Sequence, residues 1–206
     1  KEKYITPHHN KVLAELYKRV GKFEKSMTIY KNLIKHDPTY IKDACFLAES
    51  ILTHHSELLF IRKELIQFYI QNCDPDSALT HLKFLTRKES SLDFNEIKRL
   101  FSNLLAIFPG HQNCKYAYCD LLIKINHITD VMPLLYEFIQ TYTNHAEFID
   151  RCIQSIKQKS ANHFGFQLFL SDIYILKNNF SSALQIIDQM MLRENSLELL
   201  DDIKII

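Results

Sequence analysis

Four times along this chain a helix-ending residue is followed, two positions later, by an aromatic, proline or isoleucine and, five positions later, by a small or branched residue. The sets are Gly21 with Phe23 and Ser26, Cys73 with Pro75 and Ala78, Asn126 with Ile128 and Val131, and Asn178 with Phe180 and Ala183. Successive turns are 52, 53 and 52 residues apart. Each joins two stretches whose apolar residues recur at three- and four-residue steps, which is a helix, a turn and a returning helix. One such hairpin cannot bury its apolar faces alone. Recurrence lets neighbouring hairpins do so, and predicts a stacked helical array.

Composition narrows the chemistry. The chain has 3 glycines in 206 residues, against roughly 14 at an average usage near 7%. Few positions can adopt positive φ or admit close backbone approach, so loops that wrap nucleotides or oxyanions are not expected, and no catalytic, cofactor-binding or metal residues are assigned. The 25 basic and 24 acidic residues balance to a net charge of +1, which provides no global field for nucleic acid or anionic lipid. Five cysteines without close pairing argue against a disulfide framework and for a reducing, intracellular compartment, with the cytoplasm as the expectation. No apolar run reaches the roughly 18 residues that span a bilayer. The opening KEKYITPHHN lacks a secretory h-region, and a chain that opens at Lys1 and closes on DDIKII reads as a segment of a larger protein.

Thr6-Pro7 starts the first helix, with threonine as cap and proline at the first helical position, and Asp37-Pro38 stops the returning one. In the first helix Leu13, Leu16, Tyr17 and Val20 share a face. Further helices are expected near 40–54, 57–72, 75–88, 94–107, 112–125, 129–141, 145–158, 164–177 and 181–193, with a last from about 196, giving about twelve. Asp74-Pro75, Asp93 with Glu96, Asn144 with Glu147, and Ser182 with Gln185 are start signals. Pro109-Gly110 is the clearest break, and no linker divides residues 1–206 into separate domains. The stretches 58–70 and 164–176 are apolar around more than half their circumference, as a helix held between repeats must be. The ending, with Leu197, Leu199, Leu200, Ile203, Ile205 and Ile206, is expected to pack on further sequence, another copy or a partner.

On these residues the chain resembles the tetratricopeptide repeat family. Between Pro7 and Pro38 the resemblance rests on Leu13, Ala14, Tyr17, Gly21, Ser26, Tyr30 and Leu33; around Asn178 it rests on Leu170, Ser171, Tyr174, Ala183, Ile187 and Met190. The units at Cys73 and Asn126 are degenerate. That family repeats every 34 residues, whereas the turns here recur at about 52. Either a third helix accompanies each hairpin, or the signature returns every one and a half repeats and the intervening turns have lost it. The second is preferred, and it would alternate equivalent helices between inner and outer layers.

The resemblance implies an all-α, right-handed α-solenoid of stacked antiparallel hairpins, whose concave surface, lined by the first helix of each hairpin, binds a peptide or partner protein. On matching positions it selects Lys11, Glu15 and Lys18, then Lys63 and Gln67, then Tyr116, Asp120 and Lys124, and finally Asp172. Lys11 is followed one turn later by Glu15 where members that clamp a C-terminal carboxylate have asparagine, which argues against that mode. Ten histidines include the pairs His8-His9 and His54-His55, but adjacent helical residues diverge by about 100° and no metal-ligand spacing appears. Cys114 and Cys119 read as buried small hydrophobes. Phe164, Phe166, Phe169 and Tyr174 read as filling between repeats, and the basic run Lys83, Arg87, Lys88, Lys98 and Arg99 as a self-paired surface broken by Glu89, Asp93 and Glu96. A non-catalytic scaffold or adaptor is therefore the leading expectation. Its competitors are an RNA-binding repeat protein, for which Lys11, Lys63, Tyr116 and Leu168 form no repeated code, and a regulatory domain attached to an enzyme elsewhere in the polypeptide.

Overall fold

Positive φ marks the same four turns that the sequence singles out. In the computed structural model, which describes residues 6–87 and 93–203 (142–143 and 194–203 through their backbone), φ is +71° at Gly21, +57° at Cys73, +59° at Asn126 and +57° at Asn178, and at no other described residue does it turn positive. Each turn closes by the same two hydrogen bonds. The amide of the residue after the turn donates to the carbonyl five back, as Lys22 to Tyr17 at 2.8 Å and Asp74 to Tyr69 at 2.9 Å, and the turn residue's own amide donates three back, as Gly21 to Lys18 at 3.0 Å. His127 to Leu122 and Asn179 to Tyr174, both 2.8 Å, complete the set. This left-handed ending satisfies the last helical carbonyls. A Cβ built on Gly21 would meet nothing within 4 Å, so the turn selects for backbone conformation and not for space, and cysteine or asparagine can stand there.

Every regular element among the described residues is helical. The α-helices are α1 (Pro7–Arg19), α2 (Phe23–His36), α3 (Ile41–His54), α4 (Leu59–Gln71), α5 (Pro75–Arg87), α6 (Phe94–Ile107), α7 (Gln112–Lys124), α8 (Ile128–Ile139), α9 (Tyr142–Ser160), α10 (Phe164–Leu176) and α11 (Phe180–Ile203). A short 3-10 turn, Pro38–Tyr40, precedes α3. Thr6 and Asp93 cap as expected, and Asp74 accepts from the Ser77 amide at 3.0 Å ahead of Pro75. Three expectations change. The described residues hold eleven α-helices, in keeping with about twelve, and the helix expected from about 196 does not start anew, because α11 runs through Asn195 with no glycine or proline to stop it. Helix α9 starts at Tyr142, so Asn144 lies inside it. The last hairpin's cap is Asn179, which accepts from the Ser182 amide at 3.3 Å, and Ser182 is already helical.

The chain packs as two compact units, residues 1–114 and 115–206. In unit 1, consecutive helices pack as neighbours and α2 also packs on α4, and α4 on α6. Side chains repeat that step of two. Lys11 of α1 pairs with Asp43 of α3, and Lys18 donates to Ser50 Oγ at 3.3 Å. Lys31 of α2 pairs with Glu64 of α4, His81 of α5 with Glu49 of α3 at 2.9 Å, and Lys63 of α4 with Glu96 of α6. The sequence separations are 32 or 33 throughout. Helices α1, α3 and α5 thus form one row, and α2, α4 and α6 the other. In unit 2, Lys159 of α9 donates to the Ile123 and Lys124 carbonyls of α7, both at 3.1 Å, and α8 packs on α10.

The structural period is therefore two helices, while the turn signature returns every third helix. Of the two spacing readings, alternation holds: α1 and α4 carry the same signature in opposite rows, as do α7 and α10. The residues five past each turn are all buried, Ser26, Ala78 and Val131 fully and Ala183 to 3% exposure. Ser26 Oγ donates to the Ala14 carbonyl at 2.7 Å, which fixes how closely α2 approaches α1. Around these contacts gather Met27, Leu33, Ile51, Ile61 and Leu65 in unit 1, and Leu122, Leu135, Ile149, Phe166 and Phe169 in unit 2. Pro133 sits within α8 on its exposed side, and Thr129, whose carbonyl it cannot bond, is also exposed.

Candidate protein-binding surface

The nine residues expected to line one surface divide between rows. Lys11, Glu15 and Lys18 stand on α1, and Tyr116, Asp120 and Lys124 on α7. Lys63 and Gln67 stand on α4, in the row opposite α1, and Asp172 stands on α10, in the row opposite α7. Equal place in a hairpin does not mean equal row when the signature advances by three helices.

Most of these side chains are engaged within the fold. Lys11 pairs with Asp43 and lies 4.6 Å from the centre of the Tyr40 ring; the hydrogen bond to Asp43 holds its pKa above the usual lysine value. Glu15 binds Lys18 at 2.8 Å and Arg19 at 3.3 Å, and Lys18 first holds its carboxyl below the usual range. Gln67 borders a groove of about 380 Å³ between α2 and α4, with Lys31, Ile34, Lys35, Glu64 and Gln71. Asp172 accepts from Tyr136 of α8, whose phenol is pushed up to about 12 by burial and then by that bond.

Tyr116 lines a cleft, and Asp120 lies beside it, within reach of Arg151. A cleft of about 740 Å³ opens along α7 and α9, lined by Tyr116, Asn144, His145, Glu147, Phe148 and Arg151. Its floor is aromatic: the Tyr116 and Phe148 ring centres lie 4.3 Å apart, and Phe138 packs on both. Tyr116 Oη lies 2.6 Å from Nδ1 of His145, itself only 5% exposed. Arg151 reaches Asp120 at 3.7 Å on the exposed rim, and Asn144 and Glu147 are exposed beside it. An apolar floor, a partly buried hydrogen-bonding pair and a rim of both charges can take a helix or extended segment with mixed side chains. No protein-family model matches the chain, and no curated protein matches it.

His145 and Arg151 escaped the sequence reading because α9 carries no turn signature. The signal that would have found Arg151 is complementary charge about one two-helix period away from Asp120, the spacing at which Lys11 finds Asp43 and Lys63 finds Glu96. The same spacing joins Glu49 to His81 in a partly buried polar cluster of unit 1. Arg62 Nη1 donates to His81 Nδ1 at 3.0 Å, so the His81 proton sits on Nε2 and is given to Glu49 at 2.9 Å. Tyr69 donates to the same Glu49 oxygen at 2.8 Å, Arg62 Nη2 donates to the Ser56 carbonyl at 3.2 Å, and the guanidinium lies 3.6 Å over Phe84. Burial lowers the His81 pKa against the opposing pull of Glu49.

The remaining sequence candidates fall into place. Cys45, Cys114, Cys119 and Cys152 are buried and only Cys73 is exposed; burial pushes Cys45 up to about 11 and Cys114 and Cys152 to about 12, so these are thiols at neutral pH. Phe166 and Phe169 fill the core, Tyr174 is half-buried and Phe164 is exposed. Among the described residues no three His, Cys, Asp or Glu side chains gather as a metal site. No described helix is long and apolar enough to cross a membrane. Lys88 and Glu89 of the basic run, and the side chains of the apolar ending, lie outside the described residues.

Proposed function

We propose that this chain is a degenerate tetratricopeptide-like scaffold that holds a partner protein, as a helix or extended segment, along the α7–α9 cleft. The observation that carries this reading is the cleft itself: a tyrosine–histidine pair set in an aromatic floor and flanked by exposed Arg151, Glu147 and Asn144. Packing and hydrogen bonding already fix the floor, so little side-chain entropy is lost when a partner docks. The RNA reading has less support, since Lys11 and Lys63, its two recurring cations, each face a carboxylate.

Photo-crosslinking tests it. Benzoylphenylalanine at position 147 should capture a discrete protein partner in the native source, and the same group at Gln140, exposed past the end of α8, should not. Arg151→Glu should weaken capture by tenfold or more without moving Tm, because the Arg151 side chain is 63% exposed. Capture that is equal at both positions and indifferent to Arg151 would remove the cleft from the interaction.

A further inference from the structure

Helix α9 offers an ion pair within itself and does not make it. Glu147 stands one turn before Arg151 on the lining of the α7–α9 cleft, an order in which a helix ordinarily pairs the two. On α1 the same order does pair, Glu15 with Arg19 at 3.3 Å. The difference lies in what faces α9. Arg151 leans over the Phe148 ring, 5.1 Å from its centre, and reaches Asp120 of α7 at 3.7 Å. Glu147 is left exposed, with no hydrogen bond or ion pair to any described residue. Lys115 and Asp150, next in sequence to the lining residues Tyr116 and Arg151, are engaged elsewhere, with Glu137 of α8 and with Lys177 at 3.4 Å.

One wall of the cleft therefore presents two opposite charges, with Cβ atoms about 5–6 Å apart, and the Phe148 ring between them in sequence. Their demands on an occupant differ. The Arg151–Asp120 contact is loose, 3.7 Å between side chains 63% and 57% exposed, so exchanging it for an incoming carboxylate costs little. Glu147 has no contact to exchange, and covering it without a cation would strand its charge away from water. A segment that covers it must bring that cation. We propose that the partner's docking segment carries a lysine or arginine against Glu147 and, at the same spacing, a carboxylate against Arg151, with an apolar side chain between them for the Tyr116–Phe148 floor. This rests on the cleft reading and adds to it the charge register that selects the partner.

Selection of a displayed random-peptide library on the chain tests the register, with benzoylphenylalanine in place of exposed Asn144 to mark cleft binders by photo-crosslinking. Crosslinked peptides should carry two opposite charges flanking an apolar residue. Glu147→Arg and Arg151→Glu should each weaken them about tenfold or more while leaving Tm in place, since both side chains are exposed. The double variant should bind the same peptides poorly, and should recover affinity for versions whose own two charges are exchanged. Crosslinked peptides that bind the wild type and the double variant equally would overturn the register while leaving the cleft as the binding site. A library in which no peptide crosslinks at position 144 would overturn the cleft reading and this proposal with it.

Discussion

Cys73 holds a backbone conformation that side chains resist, with φ at +57° and the thiol exposed, so it gains nothing from packing that would offset the strain. A left-handed residue with a Cβ costs about 1 kcal/mol relative to glycine. Cys73→Gly should therefore raise the urea midpoint by an amount equivalent to about 1 kcal/mol. Gly21→Ala should lower it by a similar amount even though the space is empty, because the strain lies in φ. Unchanged midpoints in both would mean that the turns relax out of the left-handed region. Ser26 tests close packing at the same scale. Its hydroxyl donates to the Ala14 carbonyl and it is fully buried, so Ser26→Val should both remove that donor and overpack the α1–α2 contact, costing about 2 kcal/mol or more.

Between elements, charge pairs one two-helix step apart align the rows, but most are partly exposed. Lys31→Ala should cost less than about 1 kcal/mol in denaturant titration, since the Lys31 side chain is 44% exposed. The partly buried cluster joining α3, α4 and α5, in which Arg62 and His81 are buried, behaves differently. His81 accepts from Arg62, and protonating Nδ1 would set two cations against each other beneath Phe84. Its folded-state pKa lies below the ordinary 6.5, so the unfolded chain binds the proton more readily. The stability His81 contributes is then complete above about pH 6.5 and is lost as the pH falls from there through its lowered folded value. His81→Leu should flatten the stability profile between pH 7 and 5 that the native chain shows. It should also cost about 3 kcal/mol at pH 7, because Arg62, whose Nε already lacks a partner, would be left buried with one acceptor fewer. A native profile that is flat over the same range would refute the coupling.

Within each unit, stability belongs to contacts between near neighbours, which run between consecutive helices and, for α2 with α4, α4 with α6 and α8 with α10, between helices two apart. Amide hydrogen exchange should rise in protection from α1 towards α3 and α4 in unit 1, where the outer face of α1 is bare and α4 is covered on both sides. In unit 2, α10 should exchange more slowly than α11. Uniform protection across each unit, measured by mass spectrometry of peptic fragments, would show a single cooperative core and contradict this gradient.

The amino-acid order alone located the four left-handed turns, the small residues beside them and nearly every helix, because each depends on atoms within about six residues: a φ value, two closing hydrogen bonds, a cap. It also placed Tyr116 and Asp120 on one helix of the cleft. It did not place His145 and Arg151 opposite them, nor divide Lys63 and Asp172 from the residues expected beside them, because row membership follows from which faces pack at separations of 29 to 36 residues. Apolar pattern likewise put Leu13, Leu16 and Val20 on one face, without saying whether a cover exists. Burial of a face is a relation between distant segments, and only the tertiary structure contains that relation.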